Sequence, residues 1–224
     1  MLDPIWIDAT TINDAWHQLI FKIADQGRRY RIDRGSFAGQ DRFEFDFILV
    51  RIAHPAEDMF PVFPPGITLP PPSDRPQVEE YFANYLFSPN LAQDEQYTYG
   101  QRLSGALGVN QIQEVIRMYR EEGPGTNQAC MEVGMPSDIL LPDPPCLRLV
   151  DTRIKDGALH FFVYFRSWDL WGGFPVNLGG LELLKQYMAA EIGVENGTLM
   201  AASKGLHIYD HCLRYVRLRR GEEC

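Results

Sequence analysis

Positive charge is in short supply in this chain: 21 lysines and arginines stand against 30 aspartates and glutamates, a formal net charge of −9. A chain of that sign does not wrap nucleic acid, which needs a basic face, so no nucleic-acid partner is expected. A small anionic ligand is still allowed, because a few clustered arginines can hold a phosphate inside an acidic protein. Long apolar runs are also missing. The richest one, near Phe161 to Phe165, is strand-sized and ends at Arg166, so no membrane partner is expected either. Met1-Leu2-Asp3-Pro4 carries neither the basic start nor the apolar stretch of a secretory leader, and the expected location is cytoplasmic. Cysteine is sparse. Cys130, Cys146, Cys212 and Cys224 show no paired metal-type spacing, so free thiols are expected rather than a metal site or a disulfide framework. One of the four is a candidate reactive group.

What is present fits an ordinary globular protein. Of the 224 residues 45% are apolar and 23% charged, enough to build one domain over 1–224 with a sizeable core. Ala15, Trp16, Leu19, Ile20 and Ile23 recur at helical spacing after a Thr-x-x-Asp capping pattern, which predicts a helix from about Thr11 to Gln26. Asp33-Arg34-Gly35-Ser36 reads as a loop, and Arg42 to Ile52 alternates as one strand. Pro61 to Pro76 is a proline-rich connection, and Pro76 can open a helix to about Phe87. A further helix, about Asn110 to Glu122, puts Ile112, Val115, Ile116 and Tyr119 on one face. Cys146 to Asp169 reads as two strands joined at Lys155-Asp156-Gly157, since Asp-Gly is a strong hairpin signal. A long apolar helix over Phe174 to Ile192, a strand over about Thr198 to Tyr209 and a short terminal helix complete the pattern. The expected class is α+β, a mixed β-sheet backed by helices.

The chemistry-bearing residues fall in order. Pro144-Pro145-Cys146 is followed by Arg166-Ser167-Trp168-Asp169, then Gly172-Gly173-Phe174-Pro175-Val176-Asn177, then His207-Ile208-Tyr209. A cysteine held near a cation is a candidate nucleophile, because an adjacent positive charge favours the thiolate. Arg166 is the candidate cation. Asn177 carries both a donor and an acceptor on one side chain. His207 and Tyr209 lie two apart and share one face of a strand.

This series, Pro-Cys, Arg-Ser-x-Asp, Pro-x-Asn and His-x-Tyr, resembles the thymidylate synthase superfamily, and the compact chain is most similar to its short archaeal forms. The motifs concentrate in 97–211. The resemblance implies a thymidylate synthase-like fold and a one-carbon transferase of the methyltransferase type. In that reading Cys146 forms a covalent adduct at C6 of dUMP on the way to dTMP. Arg166 also grips the phosphate with Ser167 and, from the loop, Arg34; Asn177 reads the base; His207 and Tyr209 hold the sugar 3′-hydroxyl. Asp169 contacts the pterin and orders water, Gly172 and Gly173 let it approach, and Tyr99 takes part in removing the C5 proton. Glu80 stands where the family has a relay glutamate. The implied co-substrate is a reduced folate or pterin, methylene-tetrahydrofolate or a tetrahydromethanopterin type, with no metal.

Departures from the pattern shape these expectations. Gly125-Thr126-Asn127-Gln128 carries no charge where the family has two arginines that reach a neighbouring subunit's nucleotide, so monomer and homodimer both stay open. Leu147 and Phe165 replace a histidine and a glutamine, the tryptophan-bearing insert is shortened, and little chain follows Tyr209 to close over the ligands. Two other readings remain: a pyrimidine deoxynucleotide hydroxymethylase, and a nucleotide-binding regulator without turnover.

Overall fold

The computed structural model describes residues 2–33, 37–62, 71–93 and 95–221. After β1 (Pro4–Ala9), α1 (Ile12–Gln26) starts where expected: Thr11 accepts from the Asp14 amide, and the stripe from Ile12 to Ile23 is buried. There follow β2 (Arg28–Arg31), β3 (Asp41–Phe45), β4 (Phe47–Ile52) and α2 (Arg75–Glu80). Pro76 sits in the first turn of α2, where its missing N–H costs nothing. The helix then widens into a π-helical stretch, Tyr81–Phe87. Next come α3 (Tyr99–Leu103), α4 (Gln111–Glu121, capped by Asn110), β5 (Cys130–Glu132), β6 (Leu147–Lys155), β7 (Ala158–Phe165) and β8 (Trp168–Asp169). The chain ends with α5 (Gly173–Ile192), β9 (Glu195–Ser203), β10 (Leu206–Tyr209) and α6 (Asp210–Arg219). No helix of the described residues is long and apolar enough to cross a membrane.

The strands form two sheets. One has six strands in the order β1-β4-β9-β7-β6-β5, and the other four, β2-β3-β10-β8. Ile7, Val50, Ala201, Val163 and Val150 are near neighbours across the larger sheet and all turn into the core beneath the helices. α5 backs this sheet. It is apolar on almost every side, and it also buries a Lys185–Glu182 pair at 2.9 Å.

Two expected strands are each divided between the sheets. Arg42 to Ile52 breaks at Asp46, which sends β3 into the small sheet and β4 into the large one. Thr198 to Tyr209 breaks at Lys204-Gly205, where Gly205 takes φ +75°, a left-handed conformation that other residues rarely adopt. The continuous period-2 pattern hides both breaks. The expected α+β class, a mixed sheet backed by helices, holds, and among the described residues the strands are shared between two sheets over one hydrophobic core.

Candidate active site

The site is built from the end of one hairpin. β6 and β7 turn at Asp156-Gly157, both with positive φ, 53° and 78°, as a two-residue hairpin turn requires. Counting back along the ladder brings Cys146 opposite Arg166, and the Arg166 amide donates to the Cys146 carbonyl at 2.8 Å. The twenty-residue spacing read from the sequence is the hairpin's length. A register shift between Leu147 and Leu149 lies beside the cysteine, the kind of bulge that re-aims a side chain at the end of a strand.

The small sheet supplies the opposite wall. His207 pairs with Glu44 on one side and Asp169 on the other, and Tyr209 pairs with Arg42, which pairs in turn with Tyr30. Between hairpin end and small sheet lies a cavity of about 590 Å³, lined by Cys146, Arg166, Ser167, Asp169, His207 and Tyr209 together with Arg42, Trp168 and Asp143. Six of the residues singled out in the sequence thus meet in one place. Asn177 stands one hydrogen bond behind the wall: its Oδ1 accepts from Trp168 Nε1 at 3.0 Å. Tyr99 is buried beside the thiol, and its hydroxyl accepts from the Leu147 amide at 3.2 Å. Glu80 is exposed and lines a separate hollow of about 400 Å³ with Tyr81 and Tyr85. Arg34 lies outside the described residues.

The electrostatics qualify one expectation. Burial pushes the Cys146 thiol up, and the nearby Arg166 and Arg148 guanidinium groups only partly offset this, while Asp143 adds to the rise. Arg166 is occupied in the free protein. It donates to the carbonyls of Pro144 and Pro145 and to Asp143 Oδ1 at 3.1 Å. Asp143 is 83% exposed, so a ligand phosphate can displace it from the guanidinium at little cost. The segment leading to Cys146 is anchored from below: Asp138, 2% exposed, takes two bonds of 2.7 Å from Arg102 and one of 3.0 Å from Arg148. These partners hold its carboxyl down at about 2.

His207 is buried, and burial lowers its basicity more than its bond to the Gly205 carbonyl (3.0 Å) raises it. With Nδ1–H donating there, Nε2 is left an acceptor, buried without a partner among the described residues. Burial holds His17 below its usual value in the same way. Below about pH 6.5 the unfolded chain therefore takes up protons that the folded one refuses, and stability falls with falling pH. Denaturant titrations between pH 7.5 and 5.5 should show this loss, and His207→Gln should flatten part of the slope.

Asp169 accepts from the amides of Trp171 (3.2 Å), Gly172 (3.0 Å) and Gly173 (2.9 Å), so it also ties down the turn into α5. Gly173 is packed: a Cβ there would come 3.2 Å from Asp169 Cβ. Gly172 is not, since a Cβ would find Asp169 Oδ2 at 3.6 Å and nothing nearer among the described residues. Sequence reasoning missed Arg42, Asp143, Trp168 and Tyr81. Arg42 is ion-paired with Glu44 at 2.5 Å and reaches the site through strand pairing with Tyr209, which no local spacing reveals.

The thermostable thymidylate synthase A from Bacillus subtilis superposes with a TM-score of 0.71 over 96% of this chain and 85% of that one, at 17% identity. It shares the fold. Proteins provisionally named thymidylate synthase are similar in sequence. The one from Methanosarcina acetivorans is 36% identical over 92% of this chain and 89% of its own length. The one from Methanothermobacter thermautotrophicus is 30% identical over 97% and 96%. The family described as thymidylate synthase matches residues 82–221. Fold and residue pattern define an enzyme of the methyltransferase class, a one-carbon transferase. The chain belongs to the thymidylate synthase family, whose members act on dUMP with a folate-type donor.

Proposed function

We propose that this chain transfers a one-carbon unit to C5 of dUMP, giving dTMP, through a bond between Cys146 Sγ and C6. The observation that carries this reading is Cys146 opposite Arg166 at the end of the hairpin, in one cavity with Ser167, His207 and Tyr209. The Sγ thiolate adds to C6 and the ring's electrons move toward C5 and O4, so C5 becomes the nucleophile. Once C5 carries its new substituent it loses its proton, a step in which Tyr99 takes part through water. Sγ then leaves as C6 regains its double bond. Arg166 and Ser167 hold the phosphate, joined by Arg34, and His207 Nε2 and Tyr209 hold the 3′-hydroxyl.

A reduced folate or pterin supplies the one-carbon unit when bound, together with the hydride for methylation. The residues suit such a ring at Gly172, whose backbone is uncrowded by its neighbours among the described residues. Asp169, anchored on the same turn, would hydrogen-bond it from the side. The proposed working unit is the whole chain as one domain, monomer or homodimer, in the cytoplasm.

Release of tritium from C5-labelled dUMP with a panel of donors, methylene-tetrahydrofolate and a tetrahydromethanopterin type among them, tests the reading. Release with a methylated product supports it, and a hydroxymethyl product would replace it with the hydroxymethylase. Binding of dUMP without release from any donor would leave the non-catalytic regulator. Arg166→Ala should weaken dUMP about tenfold or more, the loss expected for charge-assisted bonds to a phosphate. It should also slow alkylation of Cys146 at neutral pH, because the cation that favours the thiolate is gone. Unchanged affinity and unchanged alkylation would remove Arg166 from the site.

A further inference from the structure

Trp168 fills the variable place between Ser167 and Asp169. Its ring is 2% exposed, stacked on Phe165 with centroids 4.1 Å apart and packed against Phe174 at 4.6 Å. Neither contact needs a nitrogen. The indole Nε1–H is nevertheless aimed at a single atom, Asn177 Oδ1, at 3.0 Å. An indole nitrogen can only donate, so whichever amide atom faces it has to be the oxygen. Turning the amide over would set donor against donor and leave the indole N–H buried without a partner. The Tyr81 hydroxyl, buried beside Asn177, is a second polar group at the same point and can both donate and accept.

We propose that Trp168 is the positioning residue for base specificity. It holds the Asn177 amide in the one orientation that serves uracil and thereby excludes cytosine. The proposal rests on Asn177 reading the base. Once Trp168 has taken one lone pair of Oδ1, a second lone pair remains for N3–H, and Nδ2 keeps its protons for O4. Cytosine offers a bare N3 and a 4-amino donor, so it needs the amide the other way round. The indole makes that orientation costly. With no N–H at 168, Asn177 can turn over and serve either base.

Trp168→Phe keeps an aromatic ring against Phe165 and Phe174, removes the donor and gives up one ring of packing. The measurements are kcat/KM for dUMP and dCMP, and the affinity of each nucleotide by calorimetry, in wild type and variant. The wild type should prefer dUMP by about tenfold or more. In Trp168→Phe the ratio should fall to within about threefold, chiefly through a gain with dCMP. Loss of packing alone would weaken both nucleotides together and leave the ratio where it was, and that result overturns the proposal. If the phenylalanine variant does not fold, 3-benzothienylalanine at 168 keeps the bicyclic shape with sulfur in place of N–H, and the same ratio decides. Asn177→Asp runs alongside. A ratio moved by Asn177→Asp but not by loss of the indole N–H sinks the role of Trp168 alone. A ratio that neither change moves also sinks Asn177 as the base reader.

Discussion

Cys146→Ser should abolish tritium release from C5-labelled dUMP, by on the order of a thousandfold or more, while dUMP still binds within about threefold of wild type. The sulfur is asked to form and break a bond to C6, and a serine hydroxyl, far less acidic, offers almost none of the anion that does so. Binding should survive because the phosphate, sugar and base meet other side chains. The remaining cysteines supply the control. Burial pushes Cys130 up to about 11 and Cys212 up to about 12, and neither borders the cavity. Cys224 lies outside the described residues. Serine at any of these three should leave turnover within about twofold. Cys146 is itself raised by burial in the free protein, so its alkylation at neutral pH should be slow. A Cys146→Ser protein with ordinary activity would end the covalent mechanism.

Elements specified by their own residues were legible in the sequence. The Thr11 cap, the Asp156-Gly157 turn and the buried stripe of α4 are local facts, and each stands where the pattern puts it. The order of motifs was legible too, because hairpin length alone brings Cys146 to Arg166. What failed was pairing. Nothing within Arg42 to Ile52 announces that Asp46 ends one sheet and Phe47 begins another, since strand partners are chosen from distant parts of the chain. The same holds within the site. Arg42 enters the cavity because β3 lies beside β10, and Asp143 meets Arg166 across the hairpin mouth. The bond from Trp168 to Asn177 joins two motifs that read separately in the sequence, one as a phosphate grip and the other as a base reader. Asp169 shows another blind spot. Its three backbone bonds make it a structural anchor of the loop as well as a cavity wall, and a motif match cannot weigh the two roles.

Asn177→Asp should exchange the preferred base, losing dUMP turnover and gaining binding or turnover with dCMP. In the wild type the amide donates through Nδ2 to O4 and accepts at Oδ1 from N3–H. Cytosine reverses the polarity at both atoms, so each mismatched buried group costs roughly 1–3 kcal/mol, a discrimination of about tenfold or more. An aspartic acid can answer cytosine if protonated: its hydroxyl donates to N3 and its other oxygen accepts from the 4-amino group. The wall around position 177 allows that division of labour, since a hydroxyl oxygen facing N3 can accept from the indole N–H and still donate to N3. Trp168 Nε1–H would still hold one carboxyl oxygen as an acceptor, as it holds Oδ1 of the asparagine at 3.0 Å. The protonated form should also be favoured by partial burial, which disfavours a carboxylate. The gain with dCMP should therefore be largest at lower pH and fade as the carboxyl ionises, whereas the loss with dUMP should persist across the range. The measurement is kcat/KM for both nucleotides between pH 6 and 8, in wild type and in Asn177→Asp. A wild type that prefers dCMP, or a variant that keeps the wild-type preference at every pH, would remove Asn177 from base recognition.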